Sequence, residues 1–217
     1  MTAKTKKTAA AKISSTKSFP VLGIVFGGIA LLLVAAIVLS PEESIGSGGE
    51  YGEPTVSGSA LPPMEGGVAV VEADEAIGVV APEVDGQNFD DSTVSISHDG
   101  TPKAIVFLAH WCSHCQEEVP RVQSWLDATG GVAGVDVMSV TTSASSGQAN
   151  WPPSSWMDRE NWSPANIRDD ADSSVLRAYG GSSFPYWVFL NGDGTVAFRR
   201  SGQTDITTLQ TIMETLS

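Results

Sequence analysis

The chain is 217 residues long, 41% hydrophobic and 17% charged, with a mean hydropathy of +0.03, so it holds ample apolar material for a core and disorder throughout is excluded. Two cysteines in a chain of this size exclude a disulfide-stapled miniprotein, and a net charge of −13 excludes a strongly basic nucleic-acid binder. The charge is segregated: Lys4, Lys6, Lys7, Lys12 and Lys17 crowd the first 18 positions, whereas from Pro41 onward seven basic residues face 25 acidic ones, a balance of −18.

Residues 19–39 read FPVLGIVFGGIALLLVAAIVL, 21 positions without a charge. A helix needs about 20 such residues to cross a bilayer core, and a soluble helix would show a polar face that this segment lacks. A cleaved signal peptide has a shorter apolar region, of about 7–15 residues. The segment is therefore predicted to be a transmembrane signal anchor, and no cysteine directly follows it to carry a lipid. With the lysines before the span and no basic residue after it until Lys103, residues 1–18 are expected to be a cytoplasmic tail and the rest to lie outside the cytoplasm. The predicted location is a single-pass protein of the plasma membrane. Gly23 and Gly27 have small-xxx-small spacing, but glycine is common in such helices, and the chain is read as a monomer.

Residues 40–75 are predicted to be a flexible linker. Seven Gly, four Pro, four Ser and five Glu, with no basic residue, occupy positions 41–67, a composition that cannot bury a core. The folded domain is assigned to residues 76–217. A short alternating strand over 93–97 precedes an Asp99-Gly100 turn signal. Residues 104–109 (AIVFLA) are a continuous apolar run, as in a strand buried on both faces. A helix follows over 112–128, with Val119, Val122 and Leu126 at helical spacing and Pro120 inside it. Residues 135–141 read as a second buried strand and 173–179 as a helix. Strands over 186–190 and 195–200 flank the NGDG turn, and Thr204 caps a last helix carrying Ile206, Leu209, Met213 and Leu216. The order β-β-α-β-α-β-β-α argues for an α/β fold with helices on both sheet faces.

The two cysteines, Cys112 and Cys115, are spaced C-x-x-C where a buried strand gives way to a helix. The first helical turn leaves N–H groups unpaired and carries partial positive charge, which favours a thiolate at Cys112. Cys115, one turn later, points inward within reach of it. A thiolate that attacks a disulfide, with a partner that resolves the mixed disulfide, is the minimum machinery of exchange. Two other readings fit the same residues. A structural disulfide here would close a very small loop and stabilise little. A metal site would draw His110, Cys112, His114 and Cys115 from six consecutive residues, which is poor tetrahedral geometry.

The segment FLAHWCSHCQEEVP resembles the active-site segment of the thioredoxin superfamily, and more narrowly the membrane-anchored, extracytoplasmic thiol-disulfide oxidoreductases of the TlpA/ResA/DsbE type. The likeness spans about residues 81–216. Glu118 and Pro120 stand where that family usually carries both residues, and Ser183-Phe184-Pro185-Tyr186 leads into a strand as the family's cis-proline loop does. The resemblance implies a thioredoxin fold, a central mixed sheet with helices on both faces. It also implies a cis Phe184-Pro185 bond in a loop that faces the cysteines and helps hold the substrate backbone. Trp111 would border the docking surface. No cofactor is implied beyond the redox-active Cys112–Cys115 disulfide. The implied partners are extracytoplasmic protein thiols or disulfides and a membrane electron-transfer partner.

The sequence departs from that pattern in three places. The pair between the cysteines is Ser113-His114, and a histidine there resembles the superfamily's oxidases and isomerases, in which it would favour the Cys112 thiolate. Phe184 is bulky where small or β-branched residues are usual. The buried acid of classical thioredoxins falls at Val106, which leaves Glu118 as the candidate for redox tuning or proton transfer, against the alternative of a solvated helix face shared with Glu117.

Trp151, Trp156 and Trp162 are read as packing that anchors a loop insertion, the alternative being an aromatic lip beside the active site. The Asp169-Asp170-Asp172 run is read as a helix start, and His98 as an exposed hairpin residue. The function inferred is thiol–disulfide exchange with protein substrates, its direction left open. The rivals are a copper chaperone using the same cysteines and a thioredoxin-shaped binding module.

Overall fold

The computed structural model describes residues 49–64 and 74–217. The predicted basic tail, the predicted span 19–39 and much of the predicted linker lie outside the described residues. Among the described residues no helix is long and apolar enough to cross a membrane.

The domain is organised around β4 (Lys103–Leu108), all six of whose positions are buried. Successive side chains of a strand point to opposite faces, so β4 feeds two cores at once. Ala104, Val106 and Leu108 face one cluster, and Ile105 and Phe107 the other. β4 pairs in parallel with β5 (Asp136–Thr141) and antiparallel with β7 (Tyr186–Leu190). β6 (Ala165–Arg168) extends the sheet beside β5, and β8 (Val196–Ser201) beside β7, giving the order β6-β5-β4-β7-β8.

One face is covered by α1 (Ser113–Thr129), α2 (Pro153–Arg159) and α4 (Ile206–Met213), through Val119, Val122, Trp156, Met157, Leu209 and Met213. The other carries α3 (Ser174–Ala178) and a small antiparallel sheet of β1 (Thr55–Ser57), β2 (Glu83–Gln87) and β3 (Thr93–Ile96). Helices thus lie on both faces of a mixed sheet.

The main correction concerns the linker. Composition predicts a flexible tether over residues 49–64, but they are built into the domain. They supply β1, and Leu61 and Met64 are buried in the core. Leu61 N–H donates to Ala178 O at 2.8 Å and Met64 N–H to Gly180 O at 2.8 Å. Gly52 lies so close to the backbone of Arg168 that an added Cβ would stand 2.2 Å from its carbonyl oxygen. Composition averages over such a segment, whereas its burial is decided by two apolar side chains and a few backbone hydrogen bonds.

Three further elements escape the sequence pattern for a related reason. β2 reads as acidic and glycine-bearing, yet Val84 and Gly86 turn inward. β6 is polar but buried: Asn166 Oδ1 accepts from Ser139 Oγ and Thr141 Oγ1, both at 2.8 Å. α2 starts at tandem prolines within the stretch read as a loop insertion; its Trp156 is 1% exposed and packs in the core, as expected of an anchor. α4 is capped by Asp205, which accepts from Thr208 N–H at 2.9 Å, and not by Thr204. His98 is half-buried over the NGDG turn, its ring against Gly194. The Asp169-Asp170 pair caps α3, Asp169 accepting from Val175 and Leu176 N–H and Asp170 from Ser174 N–H.

Arg199 on β8 is completely buried and ties the N-terminal segment down. Its guanidinium pairs with Asp74 through two of its three nitrogens, Nε donating to Oδ2 at 2.9 Å and Nη2 to Oδ1, while Nη1 donates to Pro62 O at 2.7 Å. Burial opposes the Asp74 charge, but Arg199 and the Ala76 N–H outweigh it and hold that carboxyl below its usual range. The contribution is present near neutral pH and is lost as the pH falls through the depressed Asp74 value. Removing one partner of a buried pair typically costs about 3–5 kcal/mol. Arg199→Ala is expected to lower unfolding free energy by about that amount at neutral pH in urea titrations, with the difference narrowing in acid as Asp74 protonates.

Candidate active site

β4 ends at Leu108, and the chain turns through buried Ala109 and His110 into α1. Cys112 sits at the N-cap of that helix in extended geometry, and Cys115 lies in its first turn. Both cysteines are free; Cys112 is half-buried and Cys115 is fully buried. The two thiols occupy opposed environments. Cys112 accepts a hydrogen bond from the Cys115 thiol, which lowers its pKa most; burial opposes this, the backbone N–H groups of Cys115 and His114 assist, and the His114 charge adds the smallest share. The Cys112 pKa is held at about 6. Burial pushes the Cys115 thiol far up, and the neighbouring Cys112 adds to this.

The site is closed by residues distant in sequence. Phe184-Pro185 is a cis peptide just before β7. The Phe184 carbonyl lies 3.7 Å from the Cys112 sulfur and accepts its hydrogen when Cys112 is in the thiol form. Trp111 is 37% exposed, and its ring stands edge-on to Phe184 with centroids 5.8 Å apart. Its indole N–H donates to Ser143 O at 2.8 Å. The structure thus brings Trp111, Cys112, Phe184 and Pro185 together.

Glu118, one turn past Cys115, is 1% exposed and so does not share the solvated face of Glu117. Its carboxylate accepts from Trp187 Nε1 at 2.7 Å, Thr204 N–H at 2.9 Å and Arg121 Nη2 at 3.0 Å. Burial outweighs these donors and raises its pKa. The Glu118 charge also contributes to raising the Cys115 pKa. Val106, where classical thioredoxins place their acid, lies fully buried in the helix-side core.

His114 is exposed. Its carbonyl accepts from Gln203 Nε2 at 3.3 Å, and the same amide reaches Glu117 Oε2 at 2.7 Å. His110 does not turn toward the sulfurs, since Nδ1 lies 2.6 Å from Ala149 O and Nε2 accepts from Ser145 N–H at 3.0 Å. Both ring nitrogens are therefore engaged, and the four-ligand cluster considered from the sequence does not form. Sequence reasoning missed Trp187, Thr204, Gln203 and Ser143. They stand 30 or more residues from their partners on other elements, and nothing in their local pattern signals contact with the site.

No family model matches the chain. The soluble secreted antigen MPT53 of Mycobacterium tuberculosis is 28% identical over 128 residues, covering 59% of this chain and 67% of that protein. The thioredoxin domain of a thiol-disulfide oxidoreductase from Bacteroides vulgatus superposes with a TM-score of 0.50 at 20% identity, over 64% of this chain and 96% of that one. A thiol:disulfide interchange protein of the thioredoxin family from Chlorobium tepidum superposes with a TM-score of 0.52 at 19% identity, over 64% and 97%. The domain has the thioredoxin fold. Within this thioredoxin domain the C-x-x-C segment lies where the central strand meets a helix, with the cis-proline loop against it.

The opposed thiol environments generate a direct expectation. Alkylation should modify Cys112 alone, with a rate that rises through a midpoint near pH 6 and leaves Cys115 unlabelled in the native protein. Peptide mapping after iodoacetamide treatment across pH measures both sites at once.

Proposed function

We propose that the protein is a thiol–disulfide oxidoreductase acting on extracytoplasmic protein substrates, anchored in the plasma membrane by residues 19–39. The observation that carries this reading is the thiol pair: a partly exposed Cys112 poised as a thiolate beside a fully buried, protonated Cys115.

Reduction of a substrate disulfide takes two successive exchanges. The Cys112 thiolate attacks one substrate sulfur, the substrate S–S bond breaks, and the departing thiolate takes a proton from water. A mixed disulfide now links Cys112 to the substrate. Cys115 then loses its proton and attacks the Cys112 sulfur, which expels the second substrate thiol and leaves the Cys112–Cys115 disulfide. Two electrons have passed to the substrate. Oxidation of a substrate dithiol is the same path reversed.

Glu118 is the buried carboxylate nearest in sequence to Cys115, and its raised pKa suits it to take the Cys115 proton. Trp111 and Phe184 form an apolar lip beside the attacking sulfur, and the cis-proline loop offers backbone to the substrate chain. No cofactor is required beyond the cysteine pair. Regeneration needs an electron-transfer partner at the membrane.

His114 enters through its charge and its backbone N–H, behind the Cys115 thiol in effect on Cys112. Cys115→Ala is accordingly expected to raise the Cys112 pKa further than His114→Pro does, as read from thiolate absorbance against pH.

Cys115→Ser should accumulate mixed disulfides with extracytoplasmic proteins on non-reducing gels, and Cys112→Ser should not. Absence of trapped species from both variants would overturn the exchange reading. The couple should also lose about 59 mV per pH unit below the Cys112 pKa, where two protons follow two electrons, and about 30 mV above it, where one does. Glutathione-buffered equilibria across pH measure the slope and the potential together.

A further inference from the structure

We propose that His110 is a positioning residue of the exchange site: a neutral imidazole, protonated at Nδ1 alone, that fastens the 142–152 loop behind Trp111 and releases it when a second proton binds. The functional meaning of this inference rests on the exchange reading above.

The geometry determines the tautomer. A carbonyl oxygen can only accept, so the Nδ1 that lies 2.6 Å from Ala149 O carries the hydrogen. A backbone amide can only donate, so the Nε2 that lies 3.0 Å from Ser145 N presents its lone pair. The ring is fully buried, and Trp151 packs edge-on against it at 5.8 Å. The His110 carbonyl accepts from Gln116 Nε2 of α1 at 2.9 Å and from Asn150 Nδ2 of the loop at 3.3 Å. One residue therefore joins the end of β4, the first turns of α1 and both halves of the loop.

The loop reaches the reacting sulfur through Trp111. Ser143, held at a left-handed φ of 49°, presents the carbonyl that takes the Trp111 indole hydrogen. Trp111 stands against Phe184, whose carbonyl faces Cys112. The orientation of the apolar lip thus depends on a loop that His110 secures.

A second proton on the ring would set an N–H of Nε2 against the N–H of Ser145, and neither group can accept. Burial keeps the ring neutral to lower pH than an ordinary histidine, with the Ala149 carbonyl and the Glu50 charge acting in the other direction. The charged groups that surround it are few. Glu50, from the N-terminal segment, is held by Ser154 N–H and Oγ at 2.9 and 2.6 Å. Arg159 of α2 reaches Asn150 Oδ1 at 2.7 Å, and Cys112 lies two residues on. The loop itself carries no charged residue between 142 and 152. Release therefore belongs to acid conditions, in which the lip loosens while the cysteines stay in place.

The test uses the full chain in its reduced form, labelled with nitrogen-15 at histidine and at backbone amides. The expected neutral form of His110 carries its hydrogen on Nδ1. On acidification from about pH 7.5 to about pH 4, past the ordinary histidine range, the protection factor of the Ser145 amide should fall about tenfold, in step with His110 protonation. His110→Gln offers Ser145 a carbonyl oxygen that does not titrate. In that variant Ser145 should stay protected across the range, and the acid-side fall in kcat/KM toward a protein disulfide should shrink to the part that follows protonation of the Cys112 thiolate, measured by alkylation of the same samples. An Nε2–H tautomer, an acid-insensitive Ser145 amide in the wild type, or an acid limb that is the same in wild type and His110→Gln after division by the Cys112 thiolate fraction overturns the proposal. Reaction of wild-type Cys112 with a small aromatic disulfide is measured in parallel. No reaction at any pH overturns the exchange reading and the functional role given to His110, whereas the tautomer and protection data decide the loop linkage by themselves.

Discussion

Burial of β4 on both faces is the constraint from which the rest of the domain follows. A strand whose six residues are all shielded must be flanked by strands on each side and covered on each face. β5 and β7 provide the first condition, and α1, α4 and the α3 side provide the second. Its alternation divides the interior into two cores that cannot exchange members without a register slip. Its end is consequently a fixed point from which α1 must start, so Cys112 is held at a helix N-terminus by the packing of residues several positions upstream.

The site then works through contrast between two chemically identical groups. Cys112 and Cys115 differ only in place, one partly exposed at the N-cap, the other facing the helix-side core. Exposure and donated hydrogen bonds favour charge at the first, and burial opposes it at the second. Glu118 repeats the theme one turn on, where three donors stabilise its carboxylate without offsetting the cost of burial.

The N-terminal segment shows how buried polar groups can organise a weakly apolar stretch. Arg199 and Arg168 lie beneath it, and their guanidinium groups meet backbone carbonyls of Pro62 and Gly49 along with the carboxylates of Asp74 and Asp91. Few apolar side chains are needed when buried cations require these partners. The same segment brings Glu50 and Tyr51 to the loop beside His110, Tyr51 donating to Ala144 O at 3.0 Å. The part of the chain that leads toward the predicted membrane span is thus in contact with the loop behind the active site.

The sequence by itself determined the elements whose signal is local. The run AIVFLA, the helical spacing of Val119 and Val122, the NGDG hairpin and the C-x-x-C pair at a strand-to-helix junction each carry their meaning within a few residues, because hydrophobic periodicity and helix-end electrostatics act over one or two turns. The tertiary structure alone decided β1, β2 and β6, whose few buried residues are matched by partners far along the chain, as Asn166 is by Ser139 and Thr141. It likewise decided that Glu118 is buried and Glu117 is not, since that depends on Trp187 and Thr204 arriving from β7 and the segment after β8. His110 enters the sequence reading only among the residues of a metal-site alternative, and only the return of the 142–152 loop supplies the carbonyl and the amide that define its state, because hydrogen-bond partners are selected by three-dimensional proximity and not by spacing.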